Sequence, residues 1–293
     1  MQGEWKPSRL FQIVGGVRYD LDTFINPTVS PRASLLFSPA SDHTVRATVA
    51  VGYRPPTLFE TYDDARAVVT LPSPLPSPLP ISVQGSNNLH PEKIVSYELE
   101  YQGWYLQHRL RSRAVLFYNH LSDLITFSSS GITQAGGVAD IYGGETGLEF
   151  LATKWLSGFA NMAYQEIGQT LTGTSQRSRP RFKYNAGLRA QWDNGLSGEL
   201  AYHWVGASTH PLSSAFSMFS AFGVVPPDPH VGHYKLLNLR GAYRFWQETA
   251  ESGYRREAEV AISVFNALND THKEHPLGDL IGSRVMGWLT VRY

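Results

Sequence analysis

Residues 257–265 read EAEVAISVF, and residues 282–293, which end the chain, read GSRVMGWLTVRY. In the first stretch Val260, Ile262 and Val264 share one parity, and polar or small residues fill the other. The final residues alternate in the same way, and this two-residue period predicts two β-strands with unlike faces. Because a bare terminal strand is an edge that invites aggregation, we expect a closed barrel in which the last strand pairs with the first.

The composition of the 293 residues favours an all-β chain. Hydrophobic residues make up 42%, yet no apolar run reaches the roughly 20 residues that a membrane-spanning helix needs. Aromatic residues reach 12% alongside 26 glycines, a balance that favours strands over helices. The 25 basic and 25 acidic residues cancel, which argues against a nucleic-acid partner, and the lack of cysteine excludes disulfides and thiolate metal sites.

Further segments show the same alternation, and with the last two they predict about twelve strands. The connections between them are alternately short and long, as in up-and-down transmembrane barrels. We therefore predict an antiparallel up-and-down transmembrane β-barrel, either small or partial, with a large antiparallel sandwich as the alternative. The segments are 9–20, 30–38, 44–54, 94–104, 109–118, 142–153, 158–165, 182–192, 196–205 and 236–245. The short turns are 38–42, 104–108, 154–157, 193–195 and 247–256.

The longest connection, residues 55–90, is rich in proline. Positions 72, 74, 76, 78 and 80 are all proline and alternate with Ser or Leu. Such a run is stiff polyproline II or disordered, and it cannot sit within a sheet. A linker between two domains is one interpretation. Because strand patterns of one kind flank the run, we predict instead a long external loop of a single barrel region that spans residues 1–293.

The predicted strands carry charges on one face and aromatic rings near their ends. Glu100 and Arg113 fall on the polar faces of neighbouring strands, where they either pair across the ladder or remain solvated. Tyr184, Trp192 and Trp204 lie close to strand ends. Aromatic rings in these positions are typical of the girdles of outer-membrane barrels.

Five segments together resemble the C-terminal half of a TonB-dependent outer-membrane receptor. They are GYRPPTLFE at 52–60, NLHPEK at 88–93, FYNHLSDLI at 117–125, GETGLEF at 144–150 and VFNALND at 264–270. The last departs from the usual Val-x-Asn-Leu-Phe-Asp of the family at Ala267, Leu268 and the inserted Asn269. The final aromatic residue, Tyr293, is as the family has it.

The resemblance implies a role in the Gram-negative outer membrane: active uptake of a scarce nutrient such as an iron-siderophore complex or cobalamin. Family members place a plug domain before a barrel of about 22 strands, and the plug engages an energy-coupling complex of the inner membrane. This chain has neither the plug nor a secretion signal ahead of its first strand. We therefore expect a fragment, a decayed gene product or a smaller barrel that closes on itself, with the energy-coupling partner reached only through the missing plug.

The expected partners are outer-membrane lipid and a small-molecule nutrient, and no cofactor is predicted. His272 and His275 flank Lys-Glu ahead of a proline, which is not the helical arrangement of a zinc protease. For an outer-membrane lipase His120, Ser122 and His203 are present, but no nucleophile motif accompanies them. We predict that the chain is not an enzyme; the alternative is a small barrel acting as a passive pore, a secretion domain or a phospholipase.

The long loops are the predicted ligand-binding elements, because they combine aromatic rings with a few polar groups. The alternative is that these loops bind no ligand. The candidate residues are Tyr62, Asp63 and Arg66 in the proline-rich loop, Arg177 and Arg179 in a second loop, and His210, Phe216, Phe219, His230 and His233 in a third. No catalytic, cofactor or metal-binding residue is predicted.

Overall fold

A computed structural model describes residues 1–21, 27–69, 79–127, 133–169, 179–210, 227–249 and 255–293. The strands, in chain order, are β1 Gln2–Trp5, β2 Phe11–Asp20, β3 Thr28–Ala40, β4 His43–Arg54, β5 Asp64–Val69, β6 Leu79–Gln84, β7 Glu92–Tyr105, β8 Leu110–Phe127, β9 Thr133–Leu151, β10 Leu156–Gln169, β11 Phe182–Gln191, β12 Leu196–Val205, β13 Ser208–Thr209, β14 His230–Val231, β15 Tyr234–Thr249, β16 Arg255–Phe265 and β17 Arg284–Arg292. A short helix, α1, covers Leu58–Tyr62. None of the helical residues described forms a segment long and apolar enough to cross a membrane.

The main sheet has 13 antiparallel strands that follow one another in the order of the chain. Its order is β1-β2-β3-β4-β7-β8-β9-β10-β11-β12-β15-β16-β17, so the predicted up-and-down topology is confirmed. The prediction of about twelve strands missed β1, which pairs with β2 from Gln2 opposite Gly16 to Trp5 opposite Ile13. Over the described residues β1 and β17 each have a neighbour on one side only; the expected pairing of the last strand with the first is not formed.

The register divides the sheet into an apolar face and a polar face. Leu35 lies opposite Ala47, which lies opposite Leu99, which lies opposite Leu116. These side chains define the apolar face, where Leu116 is 62% exposed and Ile262 58% exposed. Residues of the other parity define the polar face. Exposed apolar surface of this extent needs an apolar surrounding, as the lipid-facing side of a barrel has.

Ion pairs cross the polar face from strand to strand. Of the two alternatives for these charges, the structure shows pairing: Arg113 Nε lies 2.7 Å from Glu100 Oε1. Because the two charges of each pair lie on neighbouring strands, the pairs help to fix the register. The other pairs on this face are Arg46–Glu100, Arg111–Glu149, Arg189–Glu199, Arg240–Glu259, Arg244–Glu257 and Arg292–Glu257.

Short turns lie at one end of the sheet and long excursions at the other, as predicted. The short connections within the described ranges include residues 41–42, 106–109, 152–155 and 192–195. In the turn at 192–195 Gly195 has φ +88°, and a Cβ there would collide with the carbonyl of Arg244. The long excursions, residues 55–91, 206–233 and 266–283, form what we call the loop end of the sheet.

Aromatic rings gather near both ends of the apolar face. Trp155 and Trp192 stack at 5.6 Å near the short turns, and Tyr184 stacks on Trp204 at 5.7 Å near the loop end. Tyr184 and Trp192 are eight residues apart in the chain, or roughly 26 Å along a strand. After the usual tilt of about 35–45°, this spacing covers roughly 20 Å of the apolar band of about 25 Å in outer-membrane barrels.

The proline-rich connection contains more regular structure than its sequence suggests. Before the run of prolines lies α1, and β5 and β6 form a separate two-stranded sheet. The expectation that all five prolines lie outside any sheet is wrong for Pro80, which is in β6 opposite Val68. A two-stranded sheet has only edge strands, where the missing N–H of proline is tolerated. The other four prolines of the run lie outside the described residues. Strands β8 and β9 also continue beyond their predicted bounds, to Phe127 and from Thr133.

Arg54, at the end of β4, holds the start of this excursion against the main sheet. Its Nε donates to Glu92 of β7 at 2.6 Å, and its Nη atoms donate to both carboxylate oxygens of Glu60 in α1. Glu60 and Thr57 form a capping box at the start of α1. Burial opposes ionisation of Glu60, but the hydrogen bonds from Arg54 and Thr57 outweigh it and lower the pKa of the carboxyl. Arg54 therefore joins the end of β4, the helix α1 and the start of β7, the neighbouring strand of the main sheet.

Substitution Arg54→Ala should detach α1 from the rim of the sheet. Hydrogen bonds between charged groups contribute about 1.5–3 kcal/mol each, and partial exposure reduces that value here. We expect faster protease cleavage within residues 55–91 while the 13-stranded sheet remains folded. The control is Arg66→Ala, because Arg66 is exposed and pairs with nearby Asp64 in the same strand. Equal cleavage rates in both variants would contradict the role of Arg54.

The segment Val264–Asp270 forms a turn that is closed by side-chain hydrogen bonds. Asn266 is 3% exposed and has φ +51°, a conformation that asparagine tolerates better than most residues. Its Nδ2 donates to the Asp270 carbonyl at 3.1 Å, and its Oδ1 accepts from the Asp270 N–H at 3.1 Å. Asp270 in turn accepts from the Lys235 N–H at 2.9 Å, which joins the turn to β15.

We expect Asn266→Ala to lower the yield of folded protein more than Asn266→Gly does. Both variants lose the two side-chain hydrogen bonds, and buried partners left unsatisfied cost about 1–3 kcal/mol. Alanine adds the strain of a positive φ, about 1 kcal/mol, which glycine avoids. Heat-modifiable mobility of the protein in detergent measures the folded fraction. If alanine and glycine give the same yield, the backbone conformation at position 266 is not a determinant of folding.

Candidate functional site

A pocket of about 500 Å³ opens on the polar face at the loop end of the sheet. Its floor is one row of residues that face each other across successive strands: Glu145, Ala163, Lys183, Val205 and Tyr234. These five residues come from five strands between β9 and β15. The register of the sheet therefore brings together side chains that lie up to about 90 residues apart, a separation read directly from their positions.

The walls of the pocket come from the excursions. Arg179 and Arg181 lie just ahead of β11, Ser208 and Val231 come from the small sheet of β13 and β14, and Glu274 comes from the last loop. Arg181 Nε lies 3.1 Å from Glu166 Oε2, so part of its charge is compensated. Arg179 and Lys183 add positive charge to a pocket that also contains aromatic rings. The carboxylates of Glu145 and Glu274 also line the pocket. This combination suits a ligand that has both aromatic and charged groups.

Two ring contacts join the excursions around the pocket. His272 is buried, at 8% exposure, and stacks on Tyr234 with 4.0 Å between ring centroids. Its Nδ1 donates to the Asp270 carbonyl at 2.7 Å, which leaves Nε2 as a buried acceptor without a hydrogen-bond donor. Nearer the outside, His210 meets the edge of His275 at 4.7 Å. Burial, and the charge of His275 when protonated, lower the pKa of His210.

The structure places two of the predicted ligand-binding residues at this site. Arg179 lines the pocket, and His210 adjoins it through Ser208. His230, in β14, is exposed, and His233 stacks on Trp204 at 6.1 Å on the apolar side of the sheet.

The remaining candidates lie elsewhere or beyond what the structure describes. Tyr62 ends α1, Asp63 follows it, and Arg66 is in β5, where it pairs with Asp64 at 3.1 Å. None of these three lines the pocket. Arg177, Phe216 and Phe219 lie outside the described residues. The role of all these side chains in ligand binding stays a prediction.

The residues considered for metal binding and hydrolysis are not arranged for either. Over the ranges that the structure covers, no group of three or more His, Asp or Glu side chains is placed to hold a metal ion. His120 Nδ1 is 2.8 Å from Asp140 Oδ1, but the Ser122 hydroxyl donates to Asp123. His203 lies opposite Asn185 on the polar face of the sheet, away from that pair.

Sequence reasoning missed Tyr234, His272 and Glu274 as parts of one site. His272 was assigned no role from the sequence, but the turn built on Asn266 and Asp270 folds the last loop back over β15. The signal that could have found this is the pair of Asn266 and Asp270, because side chains of this type close turns and fix where the following loop starts.

The fold defines a class of protein: an up-and-down β-barrel of the outer-membrane type. The chain belongs to the TonB-dependent receptor family, because the family profile described as TonB dependent receptor-like, beta-barrel matches residues 1–267. This family occurs in the outer membrane of Gram-negative bacteria, and its members are receptors and transporters rather than enzymes.

Solved receptor structures share the fold. The ferric-catecholate import receptor Fiu from K12 E. coli has a TM-score of 0.65 at 15% identity, with 91% of this chain and 39% of the receptor covered. The ferric enterobactin receptor of Pseudomonas aeruginosa in complex with enterobactin has a TM-score of 0.71 at 16% identity, with 96% of this chain and 43% of the receptor covered. The copper transporter OprC has a TM-score of 0.69 at 19% identity, with 98% of this chain and 45% of the transporter covered. The chain thus spans about two fifths of the length of these receptors. Among curated protein sequences, none matches it.

Proposed function

We propose that this chain forms part of the barrel wall of an outer-membrane receptor that takes up an anionic iron-siderophore complex. The observation that carries the proposal is the pocket at the loop end, which is lined by the cations Arg179 and Lys183 and by Tyr234. Ferric complexes of catecholate carriers are anionic and present flat aromatic rings. Arginine binds such oxygen-rich anions through paired hydrogen bonds, and an aromatic wall supports the rings.

The similarity to ferric-catecholate and ferric enterobactin receptors supports this choice over cobalamin, which lacks that charge. Uptake by this family draws energy from an inner-membrane complex through a plug domain. We infer the same coupling for the receptor in which this wall functions. The apolar face then contacts outer-membrane lipid, and the polar face with its ion pairs faces the inside of the barrel.

The test is uptake of iron by cells that express the full-length receptor with Arg179→Ala, Lys183→Ala or both. Each substitution removes one cation from the pocket, and loss of a hydrogen bond to a charged group weakens binding by about tenfold or more. We expect a higher concentration of the ferric carrier for half-maximal uptake and an unchanged amount of receptor in the membrane.

The matched control is Arg18→Ala. Arg18 is an exposed arginine of β2 that pairs with Asp20 at 2.8 Å and does not line the pocket. Its loss should leave uptake unchanged. If the pocket variants take up the ferric catecholate complex as well as the parent protein does, the pocket is not its binding site. If they instead lose uptake of cobalamin, the proposed ligand is wrong.

A further inference from the structure

The contact between His210 and His275 is the outer of two ring contacts that join the excursion at residues 206–233, with the start of β15, to the excursion at residues 266–283. His210 follows β13 and belongs to residues 206–233, and His275 belongs to residues 266–283. Their chain neighbours Ser208 and Glu274 both line the pocket. The histidine pair therefore lies directly behind one wall of the binding site.

We propose that His210 and His275 form a pH-sensitive clasp, which holds this wall of the pocket together at neutral pH and releases it at acidic pH. The inference concerns regulation of the site described under Proposed function and rests on that function. The clasp itself is a property of the two loops, so it can be measured without any ligand.

Local hydrogen bonds hold both rings in place. The His210 N–H donates to the Pro229 carbonyl at 2.9 Å, next to the ladder between β13 and β14. On the other side, the Gly278 N–H donates to the His275 carbonyl at 2.9 Å. The Leu277 N–H donates to His275 Nδ1 at 3.2 Å, a bond that requires this nitrogen to carry no proton. Neutral imidazoles therefore suit the contact.

Protonation acts against the contact in two ways. A proton on His275 Nδ1 removes the acceptor for Leu277, and charges on both rings would repel across the 4.7 Å between their centroids. Burial and the charge of His275 lower the pKa of His210 in the closed form. The open form therefore binds protons more tightly. The clasp is complete above the ordinary histidine pKa of about 6.5 and weakens as the pH falls through that value.

Other titratable groups on the neighbouring elements act elsewhere. Glu274 Oε1 lies 3.7 Å from His272 Nε2. Lys273 donates to the Pro276 carbonyl, and Arg181 pairs with Glu166. The remaining groups on these elements are Arg179, Asp228, His230, His233, Asp270 and Asp279. Asp228 accepts from the His230 N–H, and Asp270 accepts from the Lys235 N–H. The charge that lowers the pKa of His210 comes from His275 and not from these groups. The buried stack of His272 on Tyr234 should persist when the outer pair separates.

The clasp can be tested by measuring the distance between the two loops. Because these 293 residues contain no cysteine, Gly232→Cys and Leu280→Cys give two sites for nitroxide labels that are unique within this chain, and the labelled protein is measured in detergent. A side chain at Gly232 meets open space, and Leu280 is 66% exposed. Pulsed electron-spin resonance should show one short distance at about pH 7.5 and a longer, broader distribution at about pH 5.5.

Two variants separate the effect of charge from that of packing. His210→Phe and His275→Phe keep an aromatic ring at the contact but cannot be protonated there, so each should abolish the pH-dependent change. His90→Gln, at an exposed histidine of another loop, should retain it. An unchanged distance in the parent protein, or a transition that survives in both phenylalanine variants, would overturn the clasp. Failure of the uptake test with Arg179→Ala would leave this distance measurement unaffected, so the two proposals can fail separately.

Discussion

The antiparallel ladder between neighbouring strands is the constraint on which the rest of this structure depends. Each inner strand satisfies its backbone N–H and C=O groups on both sides, which a chain in lipid requires because no water is available there. The two-residue period then assigns every side chain to one face. A shift of one residue at any strand would exchange the apolar and polar faces from that point on. The ion pairs on the polar face, such as Arg240–Glu259 at 2.7 Å, oppose such shifts because they join side chains of neighbouring strands.

The same ladder positions the pocket. Lys183 and Tyr234 reach the same floor only because β11, β12 and β15 keep one continuous register. The excursions need a different kind of support, since they leave the sheet. Arg54 supports one of them by charge, and Asn266 supports another by closing a turn. Both residues lie in segments that resemble those of TonB-dependent receptors, and the structure gives each segment a physical role at the point where a strand ends.

Most of the sheet was predictable from the sequence because each strand has an alternating pattern of its own. The pattern fails at β1, whose four residues are too few to establish a period. It also fails in the excursions. Pro80 joins a two-stranded sheet because an edge strand does not need its N–H, and local composition cannot reveal that a strand is at an edge. From the sequence, positive-φ residues such as Asn266 were recognisable as turn formers. The direction in which the chain leaves the turn could not be predicted.

The candidate site was less predictable than the fold, for a related reason. Arg179 and His210 were named as candidates because loops with cationic and aromatic side chains are common binding elements. His272 was not, because its burial depends on the ring of Tyr234, 38 positions earlier in the chain. A contact of this kind exists only after the strands have paired. Sequence patterns thus describe the paired strands well, whereas the contacts between loops arise only where the strands bring the loops together.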